Sequence, residues 1–150
     1  MQLKSFIYGG LDGIITISTV IASIEGVNLD VKYILSITIS VLLTGALSMG
    51  IADYLSSKVG TTQDIAIING MTTAISFIIF GVMPLIFYTI IHKYGINPFR
   101  GMVLTTAVAF FILGGVQSRY SGEIWYKSGA ITVAYGTATS LFAYIISSMF

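Results

Sequence analysis

Five long apolar stretches, divided by short polar breaks, make up almost the whole chain. They run near residues 5–24, 33–55, 65–91, 102–117 and 128–149. A helix rising 1.5 Å per residue needs roughly 20 apolar residues to cross about 30 Å of hydrocarbon, so each stretch is read as one crossing. Apart from Asp12 and Asp53, every Asp, Glu, Lys and Arg falls between these spans or at their ends, where an ionised group keeps its water. The pattern predicts an all-α membrane protein with five transmembrane helices, joined by short links into a single transmembrane domain over residues 1–150.

Composition agrees with that pattern. The chain is 55% hydrophobic and only 9% charged, with a mean hydropathy of +0.93, values typical of a protein whose solvent is lipid. The net charge of +1 offers no basic surface, so nucleic acid is not an expected partner. The chain has no cysteine, which excludes disulfides and thiolate metal ligands. Its one histidine, His92, falls at a predicted helix end and reads as an interfacial residue. Lys4 before an apolar run could suggest a signal peptide, but the run is too long and no small-residue cleavage site follows. The first span is therefore expected to be retained.

An odd number of crossings puts the two termini on opposite sides. With the N-terminus in the cytoplasm, Lys4, Lys58, Arg119 and Lys127 lie inside, against Lys32, Lys93 and Arg100 outside, a small excess in the sense of the positive-inside rule. Tyr120, Trp125 and Tyr126 fit an interfacial aromatic belt. Pro84 is expected to kink the third span. Five spans do not divide into an inverted repeat unless two chains supply the symmetry, which suggests a homodimer.

Asp12 is the residue of greatest chemical interest. A lone carboxylate inside a span costs roughly 2.5–3.5 kcal/mol on insertion scales and usually marks an ion or proton path. The plainer alternative is a protonated Asp12 hydrogen-bonded to a neighbouring helix. At 100° per residue, Thr16, Thr19 and Ser23 share its face and form a candidate pathway lining, although membrane Ser and Thr often bond back to their own helix. Gly9 and Gly13 bracket it as a small-residue pair suited to helix packing. In the second span Gly45, Met49 and Asp53 share a face, placing a thioether and a carboxylate on one side. Oxygen ligands suit Mg²⁺, Ca²⁺ and Mn²⁺, and a Met sulfur tilts a site toward softer transition metals, so the pair points to Fe²⁺ or Mn²⁺. Met49 also reads as core filling, and Asp53 as a solvated helix-end acid.

The segments Tyr8-Gly9-Gly10-Leu11-Asp12-Gly13-Ile14-Ile15-Thr16 and Leu47-Ser48-Met49-Gly50-Ile51-Ala52-Asp53-Tyr54-Leu55-Ser56-Ser57-Lys58 resemble the vacuolar iron transporter family. Gly81-Val82-Met83-Pro84-Leu85, Phe111-Ile112-Leu113-Gly114-Gly115 and Trp125-Tyr126-Lys127-Ser128-Gly129 are similar to its later signatures. The resemblance implies a homodimer of five-helix protomers with the metal path at the two-fold axis. Fe²⁺, and often Mn²⁺, would leave the cytoplasm in exchange for protons, with Asp12 and Met49 of each protomer as metal ligands. Moving a divalent cation outward against about 100 mV costs roughly 4.6 kcal/mol, which two counter-moving protons cancel. The metal is cargo, and no permanently bound cofactor is implied.

Two departures from the family pattern stand out. Well-known members insert a Glu-rich cytoplasmic region between the second and third spans, whereas this chain has only Val59 to Asp64 there. Cytoplasmic metal capture would then be absent or supplied by a soluble metal-binding partner. Two turns before Met49, where some relatives carry another acid, this chain has Val41. The alternatives are a transporter of another cation and a non-transporting membrane subunit that docks a soluble iron-binding protein. Nothing resembles a phosphate loop, a nucleophile elbow or a zinc-protease helix, so an enzyme is not expected.

Overall fold

Each apolar stretch becomes one helix, longer than its apolar core. The computed structural model describes residues 2–27, 30–94 and 97–149, without the side chains at 98, 120 and 121. Its helices are α1 (Gln2–Gly26), α2 (Val31–Lys58), α3 (Gln63–Lys93), α4 (Pro98–Ser121) and α5 (Trp125–Ser147), each long and apolar enough to cross a membrane. Helix α4 outgrows its apolar stretch most, because its ends are set by local chemistry rather than hydropathy. The Asn97 side chain accepts from the Arg100 backbone N–H at 3.1 Å and Pro98 opens the helix. At the other end, Gly122 adopts a left-handed conformation with φ 72°. Helix α3 runs through the buried Pro84 as one continuous element. His92 is exposed in its last turn, and Asp64 is exposed in its first turn, where a carboxylate suits the helix dipole. Trp125 and Tyr126 stand exposed at the start of α5, with Trp125 edge-on to Phe111. The Tyr120 side chain lies outside the described residues.

Helix α1 is the centre of the bundle. It touches each of the other four, which surround it in the order α2, α3, α4, α5. Neighbours in that sequence touch, but among the described residues α2 and α5 do not meet. The ring is therefore open on one side of α1.

Close approach through small residues holds the helices together, as expected where lipid removes any hydrophobic drive between them. A Cβ at Gly9 would strike the Thr73 backbone oxygen of α3, and one at Gly13 would strike that of Phe77. Gly50 of α2 and Gly70 of α3 approach equally closely: a Cβ on either would lie under 3 Å from the other's carbonyl oxygen, 2.9 and 2.6 Å away. In the second half, Gly114 of α4 faces Gly129 of α5, and Gly136 of α5 leaves room for the buried Phe110 ring. A core of Ile17, Ile21, Ile34, Leu42, Phe77, Leu85, Tyr88 and Met102 joins α1 to α2, α3 and α4. A smaller cluster around Ile14, Ala109, Phe110 and Leu113 joins it to α4.

Candidate functional site

The opening between α2 and α5 exposes one edge of α1. Tyr8 is 54% exposed, and Asp12, Thr16, Thr19 and Ser23 behind it are half-buried. Their neighbours Gly13, Ile14, Ile17, Ser18, Ile21 and Ala22 are buried. The stripe read from helical spacing is thus the one face of α1 that the chain's other helices leave incompletely covered. Among the described residues nothing hydrogen-bonds to Asp12.

Among the described residues, the hydroxyls on this face do not bond back to α1, as some others in the chain do to their own helices, a property shared with Thr38 and Thr106 elsewhere in the bundle. Ser18, off the stripe, donates to Ile14 O at 2.5 Å, and Thr44, Thr72 and Thr89 bond back to their own helices in the same way. Among the described residues Thr16, Thr19 and Ser23 make no such bond, and Thr19 Oγ1 is buried with no partner at all. Free hydroxyl oxygens beside a free carboxylate can solvate a cation or a proton-carrying water.

Phe77 aligns the second half of the site. It sits between Gly13 of α1 and Gly45 of α2, where a Cβ on Gly45 would lie 2.7 Å from its ring. The Asp12 turn of α1 and the Gly45 turn of α2 therefore share one level of the bundle, with Met49 one turn further along α2. Met49 and Val41 are half-buried and pack against the core around Phe77. Val41 thus fills apolar space beside that core.

Asp53 is organised differently and is not a simple solvated acid. Its Oδ2 accepts from Thr73 Oγ1 at 2.5 Å, and its Oδ1 accepts from Ser57 Oγ at 3.2 Å. Ser57 Oγ in turn accepts from Asn69 Nδ2 at 3.0 Å. Ser57, Asn69 and Thr73 are not among the residues expected from sequence to form the site, although Asp53/Ser57 and Asn69/Thr73 are both i,i+4 pairs, which helical geometry places on shared faces. A further tie not expected from sequence lies at the far end, where the buried Tyr88 hydroxyl of α3 donates to the Glu25 carboxylate of α1.

Comparison with known proteins places the chain. It is 38% identical over 55 residues to a vacuolar iron transporter of Toxoplasma gondii, covering 37% of this chain and 18% of that protein. It is 40% identical over 56 residues to proteins of the same description from Plasmodium berghei and Plasmodium falciparum, covering 37% of this chain and 20% of each. The matched stretch thus spans about a fifth of these relatives' length. No solved structure matches the chain. The VIT family model matches residues 3–66 and 57–148, nearly end to end. This chain is an all-helical, multi-pass membrane protein that belongs to the VIT family.

Proposed function

We propose that the protein moves a divalent transition metal, Fe²⁺ or Mn²⁺, out of the cytoplasm in exchange for protons. It works as a homodimer with its N-terminus inside, and Asp12 and Met49 are the metal ligands. The observation that carries this reading is the open side of α1: among the described residues, a half-buried carboxylate without a hydrogen-bond partner, in line with unbonded hydroxyls, between two helices that do not touch. Facing lipid, that carboxylate would cost roughly 2.5–3.5 kcal/mol. A second copy across a two-fold axis removes the penalty and sets two Asp12 carboxylates opposite each other. Like charges so placed favour either a shared cation or bound protons, the alternation an antiporter needs.

The free face of α2 suits the same assembly. Leu43, Leu47, Ile51 and Leu55 are 51%, 65%, 57% and 56% exposed, an apolar strip whose Leu47 and Ile51 share a surface groove with Ile67 and Met71 of α3 and which a second copy or lipid can cover. The family supports metal as the cargo, and the curated relatives are described as vacuolar iron transporters.

Flux into proteoliposomes tests the reading. Fe²⁺ or Mn²⁺ uptake should depend on a pH gradient, fall to background in Asp12→Asn and drop several-fold in Met49→Ala. Absence of flux for either metal from a folded dimer refutes the proposal. Because the chain has no cysteine, a single Thr16→Cys substitution reports the two-fold axis directly. It should cross-link two copies, whereas Val108→Cys on exposed α4 surface should not.

A further inference from the structure

At the end of the bundle where α2 finishes and α1 and α3 begin, the surface opens into a cleft of about 560 Å³, lined in part by Lys4, Tyr8, Asp53, Ser57 and Asn69. Asn69 is 3% exposed, and its Nδ2 is occupied by Ser57. Its carbonyl oxygen Oδ1 is buried without any donor among the described residues. Buried carbonyl oxygens are nearly always paired, so an orphan here points to a group from outside the protein. Asp53, on the same wall, receives only neutral hydroxyl donors, from Ser57 and Thr73. Hydroxyls stabilise a carboxylate without neutralising it.

The Thr73 hydroxyl can release its hold. Its one hydrogen has two acceptors within reach, Asp53 Oδ2 at 2.5 Å and Ser5 O at 3.2 Å. If a cation claims Asp53 Oδ2, the hydrogen turns to Ser5 O and no buried polar atom is left unpaired by the exchange.

We propose that this cleft is a binding site for a hard divalent cation, held by the Asp53 carboxylate and Asn69 Oδ1 with water completing its shell. An all-oxygen set of one carboxylate, one amide carbonyl and water suits Mn²⁺ and similar ions. Lys4 is exposed on the cleft wall and acts as the built-in competitor, its ammonium attracted to the same carboxylate. The site adjoins the stripe. Tyr8 lies one turn before Asp12 and Asp53 one turn beyond Met49, so about 6 Å of helix separates each pair. Loading also moves a hydrogen bond from the α2–α3 contact to the α1–α3 contact, which ties occupancy to the packing of the helix that carries Asp12. The inference rests on the transport reading only in taking the occupant to be the cargo.

Mn²⁺ titration of the full-length protein in nanodiscs, followed by loss of the free-ion EPR signal, tests the site. In an Asp12→Asn background, saturable Mn²⁺ binding should persist. Adding Asp53→Asn should weaken it by roughly tenfold or more, the effect of losing one charged ligand. Because Asp53→Asn also disturbs helix contacts, Lys4→Ala serves as the second variant, and it should tighten binding several-fold without touching packing. No saturable Mn²⁺ in Asp12→Asn, or binding indifferent to Lys4→Ala and Asp53→Asn alike, overturns the proposal. Binding sensitive to Asp53 in a protein without flux would refute transport while leaving this site standing. Flux without such binding would do the reverse.

Discussion

The two aspartates inside the helices make an instructive pair. Asp12 stands on the open side of α1 with no hydrogen-bond partner among the described residues. Asp53 is held by hydroxyls from its own helix and from α3, backed by an amide. Both lie near close glycine contacts with α3, through Gly13 for Asp12 and through Gly50 and Gly70 for Asp53. The difference lies in what the nearby hydroxyls bond. Ser57 and Thr73 donate directly to Asp53, whereas among the described residues the nearby Thr16 and Thr19 hydroxyls make no bond to Asp12. A carboxylate wrapped in donors is fixed in place, whereas one left bare is free to exchange its partner.

Replacing each acid by its amide should separate the two roles most sharply. Asp12→Asn should abolish metal flux without lowering thermal stability, because among the described residues no hydrogen bond is lost and a costly charge is removed from the membrane span. Asp53→Asn should instead lower stability, by about 1–3 kcal/mol, since its amide N–H₂ would face the Thr73 or Ser57 donor in a partly buried site. Unfolding in detergent followed by fluorescence of the single Trp125 reads both. Equal stability losses would erase the contrast.

Gly13→Val probes the scaffold beneath Asp12. Its side chain would drive into the Phe77 backbone, where rigid neighbours cannot yield, and overpacking of this kind costs about 1–3 kcal/mol or more. Gly60→Val, with open space around it, is the matched control and should be nearly neutral. Thr73→Val, which keeps the shape and removes the donor to Asp53, should cost about 1 kcal/mol, and Thr73→Ser should restore most of it. Glu25→Gln should have the smallest effect, because an amide oxygen still accepts from the Tyr88 hydroxyl. A melting shift as large as that of Thr73→Val would show that the charge at Glu25 matters as well as its oxygen.

Much of this molecule was legible in the chain. Five helices followed from hydropathy, and the alignment of Asp12 with Thr16, Thr19 and Ser23 followed from the 3.6-residue repeat alone. Helix ends were less legible: α4 exceeds its apolar stretch because Asn97, Pro98 and Gly122 set its limits. The partners of Asp53 could not be chosen from spacing, since Ser and Thr recur throughout the chain and many bond back to their own helix. Only the register of α2 against α3, set by Gly50 meeting Gly70, brings Asp53 to Thr73 and Ser57 to Asn69.

The sequence by itself determined the membrane class, the number of helices and the family, because burial of charge in lipid is costly enough to write those features into composition and motif. The tertiary structure decided which carboxylate is bare and which is caged. That outcome depends on α1 taking the centre and on α2 and α5 failing to meet around it. Such packing follows from the summed fit of glycine contacts across several helices, a property no single segment carries.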